Sequence, residues 1–573
     1  MKKLMLGNEA VARGLFESGC KVVSSYPGTP STEITEYASK YDEIYCEWAP
    51  NEKVAAEVAI GAAIGGARSF CGMKHVGLNV AADPLFTASY TGVNAGLIIG
   101  VADDPGMHSS QNEQDSRNYA IAAKLPMLEP ADSKECMDYI EKAYQLSEEY
   151  DTPVLFRLCT RVSHSQSLVD TKERIEPELK EYKKDIAKYV MMPAMAKRKH
   201  PVVEARQEKL AALAETTELN QVMMGDTKIG IIAAGISYQY AREVFGEHAS
   251  YLKLGLINPL PTKLIRDFAA KVDQLYVIEE LDDIIETHCQ KIGVKVIGKE
   301  IFSKIGEFSQ KIVAETMGIP EKEHFTLDET IPMRPPVMCA GCPHRGMFYV
   351  LSKLKLTVFG DIGCYTLGAQ APLAAIDTTV CMGASVSGLH GFNEARPDSA
   401  KNSVCVIGDS TFIHSGVTGL INIAYNQGIS TVIILDNSIT GMTGHQQNPT
   451  TGYTIKGDPT AAVDLEALCH AVGIPRVRVV DPHDLAEAEK TVREEIAVDQ
   501  PSVIIARRPC ALLKYVKHNP PLKVNRDKCK SCKACLKVGC PAISFKDGKA
   551  VIDETQCVGC SLCKQMCKFG CIE

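Results

Sequence analysis

Short, unbroken apolar runs alternate with longer amphipathic stretches along most of the chain. Val404–Ile407 breaks at Gly408-Asp409-Ser410, a helix-favouring stretch follows, and Thr431–Leu435 breaks at Asp436-Asn437. Apolar runs without polar alternation read as strands buried on both faces. Both polar breaks therefore fall at the C-terminal ends of successive strands in a parallel βαβ unit, where open α/β sheets bind ligands. Asp409 and Asn437 stand 28 positions apart, one strand-helix-strand circuit, so their oxygens can converge on one hard cation. Mg²⁺ suits such a pair, since it takes octahedral oxygen ligation from one or two protein groups plus phosphate. The residues alone leave two ordinary strand-to-helix turns as the alternative.

The same pattern predicts an α/β fold of several domains with mainly parallel sheets. In residues 1–185 the strands are Lys21–Ser25, Leu97–Ala102 and Pro153–Leu158. Two polar loops follow strand ends there, Ser25–Glu33 and Asp103–Asn112, the kind of place where substrates bind. Between them, Asn51 reads as the N-cap of a helix whose apolar periodicity runs from Val54 to Ala67, with Glu52 in its first turn. Gly61, Gly65 and Gly66 cost that helix roughly 1 kcal/mol each relative to Ala, which predicts close approach by neighbours. Residues 186–224 are charged and helix-favouring without a strand signal, and read as a linker. In 225–330, Lys228–Ala234 and Gln274–Glu279 are strands, and Leu254–Leu260, with Pro259 and Pro261, reads as a turn between them. The proline-rich junction from Ile331 to Pro336 opens a third α/β block at 335–515, which begins with Cys339-Ala340-Gly341-Cys342. A lone CxxC can bind zinc, but no second Cys or His pair at zinc-finger spacing accompanies it, so no metal site is expected there.

Composition narrows the function classes. The net charge of −8 is dispersed and no basic block occurs, which argues against a nucleic-acid partner. No apolar run reaches the roughly 18–20 residues of a membrane span, and the N-terminal residues lack a signal-peptide core. Of the 22 cysteines, nine lie between Cys529 and Cys571. In the reducing cytoplasm, the expected compartment, such clustering means metal rather than disulfides. Cys529-x2-Cys532-x2-Cys535-x4-Cys540 is repeated 28 residues later as Cys557-x2-Cys560-x2-Cys563-x3-Cys567. A zinc ribbon needs only two CxxC pairs; a third cysteine per run suits an iron-sulfur cubane. The pattern is that of bacterial two-cluster ferredoxins, in which the fourth cysteine of each run serves the other cluster. The expected [4Fe–4S] sets are Cys529, Cys532, Cys535 and Cys567, and Cys557, Cys560, Cys563 and Cys540. The spacing before Cys540 is four residues where three are usual, Lys568 replaces the usual proline, and Cys571 is left over. Residues 520–573 are thus expected to form a small two-cluster ferredoxin-like domain.

The break at Gly408-Asp409-Ser410 and Asp436-Asn437 resembles the thiamine diphosphate (ThDP) motif, with Ser410 for its last Gly and Asp436 for its first Asn. That resemblance implies Mg²⁺ held on the diphosphate by Asp409, the Asn437 side chain and the Ile439 carbonyl, with Cys342, His344, Gly383, Gly408 and Ser410 near the cofactor. Together with SYPGTPSTE, NEKVAAEVAIGAA, CAGCPHRG and the fused tail, the whole chain resembles the 2-oxoacid:ferredoxin oxidoreductases, and within them the large-subunit type that acts on aryl pyruvates. The resemblance makes 1–185 the pyrimidine-binding domain, 225–330 transketolase-C-terminal-like and 335–515 the diphosphate-binding domain. Glu52 matches the glutamate that stabilises the imino tautomer and so the ylid; Thr29, with Ser109 and Ser110 of the second polar loop, would lie by the substrate. The implied reaction is oxidative decarboxylation of a 2-oxo acid with coenzyme A, giving an acyl-CoA, CO₂ and reduced external ferredoxin. A smaller beta subunit and self-association of the chain are implied as well. Pyruvate or branched-chain substrates, and a non-catalytic iron-sulfur carrier, stay open as alternatives.

Overall fold

In the computed structural model, alternate residues of each apolar run enter opposite cores. Val404, Val406, Ile433, Leu435 and Ile504 pack into one cluster, and Cys405, Ile407, Val432, Ile434 and Ile505 into another. Successive side chains of a strand point to opposite faces, so runs apolar at every position are covered on both. The structure describes residues 1–320, 325 and 327–573. The end of the expected 225–330 segment, residues 321–324 and 326, lies outside the described residues. Two units follow along the chain, Met1–Thr326 and Leu327–Glu573.

The second unit is built on a five-stranded, all-parallel sheet in the order Thr357–Phe359, Ser403–Gly408, Thr431–Asp436, Ser502–Arg507, Arg476–Val480. The cysteine-rich tail carries a small antiparallel pair, Ile543–Lys546 with Lys549–Ile552. Arg345, 2% exposed, ties that tail down. Its guanidinium donates to the carbonyls of Val538 at 2.9 Å and Gly539 at 2.5 Å on one side, and to those of Met338 and Cys339 on the other. Val538 and Leu562 of the tail join Met347 and Phe348 in one core.

The first unit carries a seven-stranded sheet in the order Leu256–Asn258, Met127–Leu128, Val154–Cys159, Leu97–Asp103, Ser69–Lys74, Val22–Ser25, Tyr45–Trp48. All pairings are parallel except the first. The edge strand Leu256–Asn258 falls inside the stretch expected to be a turn; its partner, Met127–Leu128, is over a hundred residues away, and no local pattern reports such a pairing. A four-stranded sheet orders Gln274–Ile278, Ile229–Ala234, Ser250–Leu254 and Gln221–Met223. Its last strand lies where a strandless linker is expected; the rest of that stretch carries the helix Pro193–Ala214. Of the three helix glycines, Gly66 meets the expectation of close approach. It has φ +97°, and a Cβ there would lie 2.0 Å from the Lys180 carbonyl oxygen, whereas Gly61 faces open space.

A buried ion network joins the two sheets. Arg117 pairs with Asp115 at 2.6 Å and Glu279 at 2.5 Å, and donates to the carbonyls of Glu280 and Asp282. Arg157 pairs with Asp103 at 2.7 Å and Glu129 at 2.5 Å. Removing one partner of such a pair strands the others without solvent. Arg117→Ala is therefore expected to cost the Met1–Thr326 unit about 3–5 kcal/mol, seen as a lower urea midpoint; an unchanged midpoint would count against this network as a stabilising joint.

Candidate functional site

The strand Ser403–Gly408 runs directly into a short turn, Asp409–Thr411, and then into one turn of π-helix over Phe412–Gly416. Such turns recur at functional sites. Gly408 has to be glycine, because a Cβ there would meet the Tyr365 ring at 2.7 Å. Asp409 is 2% exposed and accepts from Thr450 Oγ1 at 3.2 Å. Burial, reinforced by the neighbouring Asp436, pushes its carboxyl up to about 7, so its ionised form is disfavoured unless a cation stands beside it.

Two oxygens face it. One terminal atom of the Asn437 amide stands 2.8 Å from the Ile439 carbonyl oxygen and 3.1 Å from Asp409 Oδ1. With its nitrogen inward the amide donates to both. With its oxygen inward, three acceptors meet with no proton between them, an arrangement that requires a cation. Adjacent ligands of octahedral Mg²⁺, each at 2.0–2.1 Å, lie about 2.9 Å apart, which is the spacing of these atoms. The donor set therefore fits Mg²⁺.

The two departures from the motif have physical accounts. Asp436 pairs with Arg507 on the adjacent strand at 2.8 Å and accepts from the Ser438 amide at 3.1 Å. Ser410 Oγ accepts from Thr440 Oγ1 at 2.9 Å. Gly383, with φ +86°, begins the helix Ala384–Ala395. Its amide and that of Ser385 each donate at 3.0 Å to Asp361, a fully buried carboxylate. His344 is edge-on to Tyr365 at 5.9 Å, and burial drives its imidazole down to about 4, hence neutral.

Beside the cation site lies a group of thiols that local spacing does not reveal. Cys342 is within electrostatic reach of Cys339 and Cys364, Cys364 of Cys339 and Cys510, and Cys510 of Cys339 and Asp409. The Cys510 amide donates to the Asn437 carbonyl at 2.9 Å, and a Cβ on Gly441 would touch Cys364 Sγ at 3.4 Å and Asn437 Nδ2 at 3.7 Å. Burial pushes Cys342 up to about 12 and Cys364 to about 11. Cys364 and Cys510 each follow a strand end, which is the only sequence signal that could have joined them to the CxxC.

The two residues inside that CxxC, Ala340 and Gly341, line a cavity together with Cys540, Cys557, Cys560 and Cys563. Gly341, at φ +71°, could carry no Cβ, which would lie 2.3 Å from Val558. That dipeptide therefore borders both the CxxC thiols and the cavity of one expected set of the tail. In the other expected set, Cys535 is within electrostatic reach of Cys532, Cys567 and Cys529. The leftover Cys571 lies 3.2 Å, sulfur to sulfur, from Cys567. Among the described residues no three His, Cys, Asp or Glu side chains are grouped so as to hold a metal ion.

In the first unit Glu52 opens the helix Glu52–Ile64, whose N-cap Asn51 accepts from the Val54 amide at 2.9 Å. Glu52 is 4% exposed, and a Cβ on Gly77 would lie 2.6 Å from its Oε1. Thr29 is half-buried in the loop after Val22–Ser25. Ser110 Oγ donates to Asp104 Oδ2 at 2.7 Å and the Ser109 amide donates to the same oxygen at 2.8 Å. The Ser110 hydroxyl proton is thus committed to shaping its loop.

The family model "Pyruvate flavodoxin/ferredoxin oxidoreductase, thiamine diP-bdg" matches residues 13–226, and "Thiamine pyrophosphate enzyme, C-terminal TPP binding domain" matches residues 361–506. Indolepyruvate oxidoreductase subunit IorA of Methanothermobacter marburgensis is 40% identical over 99% of this chain and 97% of its own length. The Archaeoglobus fulgidus subunit of that name is 38% identical over 99% and 96%. Among solved structures, a 2-oxoglutarate:ferredoxin oxidoreductase from Magnetococcus marinus matches with a TM-score of 0.47 and 18% identity, covering 55% of this chain and 65% of that one. No helix among the described residues is long and apolar enough to cross a membrane.

Proposed function

The chain belongs to the family of IorA subunits of indolepyruvate oxidoreductase, and on that premise we propose that it oxidatively decarboxylates aryl pyruvates with coenzyme A, yielding an aryl-acyl-CoA, CO₂ and reduced ferredoxin. The observation that carries this reading is the convergence of the Asp409 carboxylate, the Asn437 amide and the Ile439 carbonyl beside the thiols of Cys339, Cys342, Cys364 and Cys510. This arrangement supports a reading in which electrons leave the ThDP site for clusters held by neighbouring thiols of the same unit.

Bound ThDP supplies the electron sink for decarboxylation. Asp409, Asn437 and the Ile439 carbonyl would hold Mg²⁺ on its diphosphate, with Gly383 and Gly408 letting the backbone come close and His344 forming part of the cofactor wall. By the family resemblance, Glu52 would hold a hydrogen bond to a ThDP pyrimidine, and Thr29 would contact the substrate. Cys557, Cys560, Cys563 and Cys540 hold one [4Fe–4S] cluster, and Cys529, Cys532, Cys535 and Cys567 the other. The quartet Cys339, Cys342, Cys364 and Cys510 suits a further cluster closer to the cofactor. Residues 1–185, 225–330, 335–515 and 520–573 form the pyrimidine-binding, transketolase-C-terminal-like, diphosphate-binding and ferredoxin-like domains. The chain self-associates, works with a smaller second subunit, and delivers electrons to a soluble ferredoxin.

Composition of the anaerobically purified complex tests this. About one ThDP per chain is expected, with about eight irons if only the tail loads and about twelve if the quartet loads too. Iron without ThDP would make the chain an electron carrier instead. Ranking kcat/KM over indolepyruvate, phenylpyruvate, pyruvate and 2-oxoisovalerate checks the substrate class; a preference for pyruvate or 2-oxoisovalerate would overturn the aryl assignment.

A further inference from the structure

Among the parallel strands of the seven-stranded sheet the chain changes direction twice, once between Leu97–Asp103 and Val154–Cys159 by way of Met127–Leu128, and once around Val22–Ser25. It moves from Val22–Ser25 outward to Tyr45–Trp48, then returns to the other side of Val22–Ser25 with Ser69–Lys74 and continues to Leu97–Asp103. Open α/β sheets bind ligands at such a switch point, beyond the carboxyl ends of the strands. The residue that ends the returning strand at this point is Lys74.

Lys74 is only 9% exposed. Its ammonium donates to the Ser109 carbonyl oxygen at 2.7 Å. An ammonium has three donors, and among the described residues the other two have no protein acceptor. No carboxylate pairs with it either; Asp104 and Glu52 act on it from further away. The nearby buried arginines are different, for Arg117 and Arg157 each pair with two carboxylates. A buried cation without a paired anion is costly, and burial brings Lys74 down to about 8.

The stem of Lys74 runs beneath the Thr29 loop. A Cβ on Gly28 would lie 3.1 Å from Lys74 Cγ and 3.3 Å from Cδ. The ammonium thus sits between the loop that carries Thr29 and the loop that carries Ser109. The next residue, His75, is 1% exposed, and its Nδ1 has no partner while Nε2 faces the Asn112 carbonyl at 3.2 Å. Two buried polar groups with spare capacity therefore stand together at the switch point.

We propose that Lys74 is the residue that receives the carboxylate of the 2-oxo acid, using the ammonium donors that the protein leaves unused. This rests on the oxidoreductase reading above for the identity of the acid. The carboxylate would complete the ion pair that the fold withholds, with the Thr29 hydroxyl beside it, and Ser109 contributes through its carbonyl rather than its hydroxyl. The phosphates of coenzyme A are the competing source of negative charge.

The test compares the wild-type holoenzyme with Lys74→Met and Lys74→Arg, by anaerobic viologen reduction. Met is apolar and of similar length, and replacing an unpaired buried charge by an apolar group does not threaten folding. Lys74→Met is expected to raise KM for phenylpyruvate about tenfold or more, with kcat within about threefold and KM for coenzyme A unchanged, the pattern of a lost binding contact. Lys74→Arg keeps the charge and is expected to restore KM to within about threefold. Calorimetric titration with phenylpropionate, an aryl carboxylate that cannot turn over, reads the contact without catalysis; its affinity should fall by a similar factor in the Met variant. Should the wild type turn over no 2-oxo acid, the functional reading fails while this titration still tests Lys74. An unchanged KM and phenylpropionate affinity in Lys74→Met, a rise in KM confined to coenzyme A, or equal losses in the Met and Arg variants would each overturn the proposal.

Discussion

Asp409→Ala is expected to leave the chain folded and its iron in place while ThDP is lost from the purified protein and oxidation of 2-oxo acids falls by more than a hundredfold. Asp409 is the only carboxylate among the three oxygens that converge there, and it is buried. Removing even the outer hydrogen-bond partners of a metal ligand costs about 10–100-fold in metal affinity or activity, so deleting a charged ligand should exceed that. Folding should survive because the unliganded site gains nothing from the carboxylate, whose charge burial and Asp436 disfavour. The clearest readout is thermal. A ligand that binds only the folded state raises the melting temperature, so ThDP with Mg²⁺ should raise it in the wild type and leave Asp409→Ala where it was. Retention of ThDP at wild-type stoichiometry in the variant would remove Asp409 from the cofactor site. The same measurement on Asn437→Ala should give a smaller loss, since a neutral ligand contributes less than a charged one.

The parts of this site that lie within one strand-turn-helix were legible in the sequence. Asp409 and Asn437 could be paired because one βαβ circuit separates them. What escaped depends on strands meeting side by side. Cys364 and Cys510 reach the CxxC only because their strands share a sheet with Ser403–Gly408, and the zinc-finger spacing rule that dismissed Cys339 and Cys342 considers only nearby residues. Asp436 departs from the motif, and its pairing with Arg507 depends on the neighbouring strand. The edge strand Leu256–Asn258 and the Arg117–Glu279 pair likewise join distant segments. Gly61 shows the converse error: composition demanded a close neighbour, and the structure gives it open space. Lys74 sits in an unremarked stretch of sequence, because an unpaired buried cation is defined by what surrounds it.

Glu52→Gln is expected to lower kcat by about 10²–10⁴, the usual contribution of a positioned acid-base group, while ThDP content and KM for the 2-oxo acid stay near wild type. The substitution keeps length and hydrogen-bonding capacity and removes only the acid. The position is fixed by its surroundings: Asn51 caps the helix that Glu52 begins, and the side chain lies against Gly77, where any Cβ would sit 2.6 Å from Oε1. Gly77→Ala is the companion test, since it displaces the carboxylate without altering it. A loss of activity in the same direction but smaller, with ThDP still bound, would show that placement of Glu52 matters as well as its chemistry. Were Glu52 merely a helix-dipole carboxylate, Gln would cost a few tenths to about 1 kcal/mol of stability and leave kcat alone. The two roles therefore separate cleanly: a fall in kcat at constant ThDP content assigns Glu52 to the reaction, whereas full activity with a slightly lower melting temperature returns it to the helix.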